Sequence, residues 1–195
     1  MNAIPKIAIF ASGAGSNAEK ILEYARQTKA YEIVAAVSNK RESGFAQWAL
    51  RNGIKLYFVG KGMRSCEKPI EEVLLERGVD LVVLAGFLQK IPKEMIEAFP
   101  QKIINIHPAL LPKFGGKGMY GMHVHQAVKD AEEKESGISI HYIDQEYDKG
   151  PIILQKKIAI LPEDTAAAIA AKVQKLEHQF YAPTIESILL QKPLP

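Results

Sequence analysis

Short, nearly continuous apolar runs recur along the first half of this chain, each separated from the next by room for one helix. That rhythm limits the fold more than any other feature. Residues 6–11 (KIAIFA), 32–38 (EIVAAVS), 55–59 (KLYFV), 80–87 (DLVVLAGF) and 102–106 (KIINI) have the composition of buried strands. A half-exposed strand alternates apolar and polar side chains, whereas a run apolar at nearly every position must be covered on both faces. The stretches between them read as helices: one reaching about residue 29, one over 44–52, one near 69–77 and a brief one around 92–98. This β-α-β-α order predicts an α/β, doubly wound, mostly parallel sheet with helices on both faces.

The pattern changes after residue 113. KFGGKGMYGMH (113–123) holds four glycines and reads as a loop. GISIHYID (137–144) and PIILQKKIAI (151–160) are two strand-like runs separated by the polar turn QEYDKG, which predicts an antiparallel edge in the C-terminal half. Residues 164–190 read as one long helix, with Asp164 or Thr165 near its N-cap and Pro183 kinking or interrupting it. No repeat, low-complexity segment or linker divides the 195 residues, so a single domain over 1–195 is expected.

Composition narrows the partners. The formal net charge of +3 is spread without any block of Lys or Arg, which gives no support to nucleic-acid or membrane binding. A single cysteine, Cys66, excludes an internal disulfide and a Cys-based metal cluster, and fits a reducing compartment. With no signal-peptide pattern and no apolar run long enough to cross a bilayer, the expected location is cytoplasmic.

Three places carry chemistry. The first is FASGAGSN, where Gly13, Ala14, Gly15, Ser16 and Asn17 join the first strand to the first helix. Glycines let the backbone approach a ligand, and the N–H groups at a helix start attract an anion, a phosphate above all. The spacing also satisfies a loose dinucleotide fingerprint. That reading wants an acid at the end of the second strand, yet SNKR (38–41) has none, and Lys40 or Arg41 would suit only a phosphorylated ribose. A tight turn with no ligand is the plain alternative. The second place is NIHPALLP. Asn105 and His107, two apart on a strand, face the same way, and Pro108 holds His107 extended. An amide beside an imidazole suits a reaction that builds charge on a carbonyl oxygen; a buried, hydrogen-bonded Asn–His pair is the structural alternative. The third is YDKGP, where Asp148 is either a turn former or a catalytic acid.

NIHPALLPKF resembles the Asn-x-His-Pro-Ser-Leu-Leu-Pro signature of the folate-dependent formyltransferase family. SGAGSN, VVLAGF and YDKGPIILQ extend the resemblance from Ile7 to about Pro183. The signature is shared by members that formylate glycinamide ribonucleotide in de novo purine (IMP) synthesis, by a tRNA-directed formyltransferase and by formyltetrahydrofolate deformylase. The glycine turn and the lack of an extra domain favour the first. The resemblance implies a formyl group carried by 10-formyltetrahydrofolate, glycinamide ribonucleotide as acceptor, no metal, no nucleic acid or membrane, and a monomer or homodimer. A deformylase-like hydrolase and a nucleotide-binding module stay as alternatives.

By the same resemblance Asn105, His107 and Asp148 are the catalytic set, Gly13 to Asn17 hold the substrate phosphate, and Glu177 lies near the sugar. Leu88, Gln89, Lys90 and Ile91 line the folate pocket, with Ile143 and Asp144 across from them, and His141 stands nearby. Ala109 replaces the usual Ser. Asn105 and His107 are then expected to donate to the oxygen that gains charge, while Asp148 steadies a protonated His107 and raises the imidazole pKa. Arg64, His123 and His125 receive no role, and His123, His125 and His178 read most simply as surface or loop residues. Asp144 and Glu146 are expected to shape their loop rather than hold a cation.

Overall fold

The computed structural model describes residues 3–65 and 68–195; Cys66 lies outside them. In chain order the elements are β1 (Lys6–Phe10), α1 (Ser16–Thr28), β2 (Glu32–Ser38), α2 (Gly44–Arg51), β3 (Leu56–Phe58), β4 (Arg64–Ser65), β5 (Lys68–Pro69), α3 (Ile70–Glu76), β6 (Leu81–Leu84), α4 (Lys93–Ala98), β7 (Ile103–His107), α5 (Met122–Asp130), β8 (Glu135–Tyr142), β9 (Ile152–Ala159) and α6 (Ala166–Leu190). Seven strands form one sheet in the order β3-β2-β1-β6-β7-β8-β9, while β4 and β5 make a separate small pair. The first five strands of the sheet are parallel, and β8 and β9 run antiparallel at one edge. The doubly wound reading and the antiparallel edge both hold.

Alternation along β1 shows why both faces are covered. Ile7 and Ile9 belong to one core, with Ala18, Ile21, Phe45, Trp48, Val128, Ile169 and Val173 from α1, α2, α5 and α6. Ala8 and Phe10 belong to the other, with Ile70, Val73, Leu74 and Met95 from α3 and α4. Successive side chains point to opposite faces, so an all-apolar strand feeds two cores at once.

The chain winds outward from β1 through β2 to β3, then returns to place β6 and β7 on the other side of β1. At such a reversal the loops after adjacent strands diverge to opposite faces, and a crevice opens beyond the strand ends. The residues after β1, β6 and β7 therefore face one opening.

Three expectations need correction. The loop read over 113–123 stops short of its end, since α5 begins at Met122 and spans Met122–Asp130, a helix not read from the sequence, with Val124, His125 and Val128 buried. The i, i+4 spacing of the two valines is the helical signal that the neighbouring glycines masked. The terminal helix is not interrupted. α6 is continuous with Pro183 inside it, and the Thr184 hydroxyl donates to the Phe180 carbonyl at 2.7 Å. The strand of 80–87 is shorter than its apolar run, because β6 ends at Leu84 and the rest turns into the crevice. At the start of α6 the cap is Thr165, which accepts from the Ala168 N–H at 3.1 Å; Asp164 instead pairs with Lys172.

Candidate active site

A cleft of ≈ 760 Å³ lies at the carboxyl ends of the parallel strands, and the residues expected at the site line it, except His141, which is buried behind Asn105 and Asp148. Gly13 to Asn17 come from the β1–α1 turn, Leu88 to Ile91 from the segment after β6, and Asn105 and His107 from β7. Ile143, Asp144 and Asp148 come from the β8–β9 loop, and Glu177 from α6. Arg64 is exposed on β4 and is not among the residues lining this cleft.

The glycine turn works through its backbone. Gly15 caps α1 at φ 86°, and a Cβ there would lie 3.1 Å from Phe45 Cα, so glycine is required on two grounds. No side chain caps the helix, and its first backbone bond runs from the Glu19 N–H to the Gly15 carbonyl. The N–H groups ahead of Glu19 thus have no acceptor within the helix, which is the arrangement an anion finds. α6 closes the other side. Asn17 Nδ2 donates to Glu177 Oε2 at 3.0 Å, and Gln174 Nε2 to Ser16 Oγ at 3.4 Å. Burial raises the Glu177 carboxyl to about 7, opposed only in part by the Asn17 bond. Asn17 Oδ1 is buried with no partner among the described residues.

The second cluster is held by side chains brought from three elements. The β7–β8 register sets Asn105 opposite His141 and His107 opposite Ser139. Asn105 Nδ2 lies 3.2 Å from His141 Nε2, while His141 Nδ1 donates to the Tyr142 carbonyl at 2.9 Å. Asp148 sits between the two rings, its Oδ2 3.7 Å from His107 Nδ1 and its Oδ1 3.5 Å from His141 Nε2, and it accepts the Gly116 N–H at 2.8 Å. Delivering it there takes an unusual backbone. Asp148 itself has φ 55°, and Gly150 packs so closely on the Tyr142 carbonyl that a Cβ would approach its oxygen to 1.9 Å. Asp144 shapes the same loop by accepting the Glu146 N–H at 2.8 Å.

Charge in this cluster departs from expectation at one point. Burial lowers the His107 pKa, and the raising effects of Asp148 and of the Phe114 carbonyl do not overcome it, so the net shift is down rather than up. For Asp148 burial acts upward, but His141, the Gly116 amide and His107 together hold the carboxyl below its ordinary value. The cluster at rest is an ionised carboxylate beside a buried, neutral His107. A carbonyl only accepts, so His107 Nε2–H donates to the Phe114 oxygen at 2.8 Å. The bare Nδ1 then faces Asp148, and a proton arriving at this ring lands beside the carboxylate.

Two residues of the cleft were missed. His125 is not a surface residue: it is 6% exposed on α5, lines the cleft, and its Nδ1 is buried with no partner among the described residues. Burial and the nearby His107 both lower its pKa. His123, two residues earlier, is exposed as expected, whereas His178 is half-buried. Gln174 faces Ser16 because it lies one helical turn before Glu177, a spacing already present in the helix read over 164–190.

The Formyl transferase family matches residues 5–185. The chain belongs to that family. Among similar proteins, phosphoribosylglycinamide formyltransferase of Bacillus subtilis is 35% identical over 190 residues, which cover 94% of each chain. The chloroplastic phosphoribosylglycinamide formyltransferases of Arabidopsis thaliana and Vigna unguiculata are 41% and 42% identical over 94% of this chain. The chain spans 65% and 60% of the length of those two relatives. The crystal structure of phosphoribosylglycinamide formyltransferase from Anaplasma phagocytophilum superposes with a TM-score of 0.86 at 33% identity, covering 97% of this chain and 89% of that one.

Proposed function

We propose that the chain is a phosphoribosylglycinamide formyltransferase, moving a formyl group from 10-formyltetrahydrofolate to the amine of glycinamide ribonucleotide in purine synthesis. The observation that carries this reading is the convergence in one cleft of a helix start with unpaired N–H groups and an Asn105–His107–Asp148 cluster. The first suits a phosphate, and the second suits acyl transfer to an amine. The folate donor supplies the electrophilic formyl carbon. The wall of Leu88, Ile91 and Ile143 fits an aromatic ring system, with Leu88 46% exposed toward solvent.

The chain's own groups then divide the work. Asn105 Nδ2 offers an N–H to the oxygen that gains charge; removing a donor of this kind typically costs about 10²–10³ in kcat. His107 takes the proton lost by the attacking amine at Nδ1, where Asp148 stabilises the cation, and that proton passes on to the folate nitrogen as its bond to the formyl carbon breaks and tetrahydrofolate leaves. Its Nε2–H reaches a substrate oxygen only by exchanging the Phe114 carbonyl for it. Glu177, raised to about 7, loses charge readily beside the site proposed for an anion, which avoids repulsion. A cytoplasmic location belongs to the same proposal and rests on the lone cysteine.

The test is formyl transfer measured with and without glycinamide ribonucleotide. Formylated ribonucleotide that forms only when the amine is present supports the reading. Formate released at the same rate without the amine would instead make the chain a deformylase.

A further inference from the structure

At the topological reversal, the loops leaving β1 and β6 are tied by a side chain that does not touch the cleft. Ser12 is 2% exposed and lies immediately before Gly13. Its backbone N–H donates to the Gly86 carbonyl at 3.1 Å, and its Oγ accepts the Leu88 N–H at 3.0 Å. The hydroxyl proton goes to Asn39 Oδ1 at 2.7 Å, on the turn after β2. A serine hydroxyl has one proton and two lone pairs, so donation to Asn39 sets the direction and leaves a lone pair aimed at Leu88. Neither Ser12 nor Asn39 lines the cleft, but the residues on either side of the tie do.

We infer that Ser12, oriented by Asn39, is a positioning residue that fixes the donor wall beginning at Leu88 to the anion turn beginning at Gly13. The inference rests on the formyl-transfer reading for what the wall binds. It adds that the wall's placement is set from behind, by one hydroxyl at the point where the strand order reverses. Leu88 is 46% exposed, so its side chain does not hold the start of the wall, where the backbone tie acts; Ile91, 5% exposed, holds the far end by burial.

Four proteins decide it: wild type, Ser12→Ala, Asn39→Leu and Asn39→Asp. Three readouts are taken: amide hydrogen exchange at Leu88, binding of a tetrahydrofolate analogue with carbon in place of N10, and separate KM values for the two substrates. Losing an acceptor for a buried N–H is expected to weaken analogue binding and raise the donor KM about tenfold in Ser12→Ala. Leu88 exchange should accelerate, while kcat and the ribonucleotide KM stay put. Asn39→Leu should follow in the same direction, and Asn39→Asp, which keeps an oxygen facing Ser12, should restore wild-type behaviour. If Ser12→Ala does not fold, the two Asn39 variants carry the test. Unchanged analogue affinity with faster Leu88 exchange would overturn the inference. So would a loss spread evenly over both substrates and kcat. Wild-type protein that fails to bind the analogue overturns the formyl-transfer reading itself, while Leu88 exchange still reports whether the tie exists.

Discussion

The two halves of the cleft are built in opposite ways. The turn proposed for an anion is local: five consecutive residues, one glycine at positive φ and a helix start supply backbone N–H groups that no side chain has to position. The Asn105–His107–His141–Asp148 cluster is non-local. It exists because an antiparallel register places β8 beside β7, and because a loop bends sharply enough to drop a carboxylate between two rings. The first resists side-chain substitution and is sensitive to backbone change; the second is the reverse. Backbone donors are held by the helix itself, whereas a side-chain cluster loses function with any one member.

Asp148→Asn should show the larger effect on turnover. The amide keeps an oxygen for the Gly116 N–H but not the charge that stabilises a protonated His107, so kcat is expected to fall about 10²-fold or more, with little change in ribonucleotide affinity. Imidazole NMR should show His107 titrating at still lower pH, because its largest upward influence is gone. An unchanged kcat would remove Asp148 from the chemistry.

Gly15→Val probes the other half. A β-branched residue at φ 86° facing Phe45 is expected to cost about 1–3 kcal/mol, read as a lower Tm, and to raise the ribonucleotide KM more than it lowers kcat. A kcat loss matching that of Asp148→Asn would mean that the two halves are not separable.

The smallest effect joins them to pH. The Glu177 carboxyl is raised from 4.5 to about 7, so the folded protein binds its proton more tightly than the unfolded chain does. The cost of burying this carboxylate is absent below 4.5, grows as pH rises toward 7, and is constant above it. Glu177→Gln copies the neutral form. The Tm difference between variant and wild type should therefore be small in acid, widen through that window and then level off. A flat difference across the window would show that the carboxyl is not perturbed.

Much of this was legible from the chain, for reasons of distance along it. Strands apolar at every position require two covered faces, so the sheet class follows from neighbours in sequence, and the turn of Gly13 to Asn17 that we propose for an anion is likewise one unbroken stretch of chain. His125 was not legible, because glycines on one side hid the helix that buries it. Nor was the direction of the His107 shift, since a carboxylate nearby is a sequence inference but the burial that outweighs it is a property of packing. Ser12 carried no reading in the sequence, and its tie shows only where Asn39 and Leu88 come within hydrogen-bond reach of one hydroxyl. The sequence by itself determined which residue types were offered to the cleft. Only the tertiary structure decided which were desolvated and which were paired, because burial and register depend on contacts between elements dozens of residues apart.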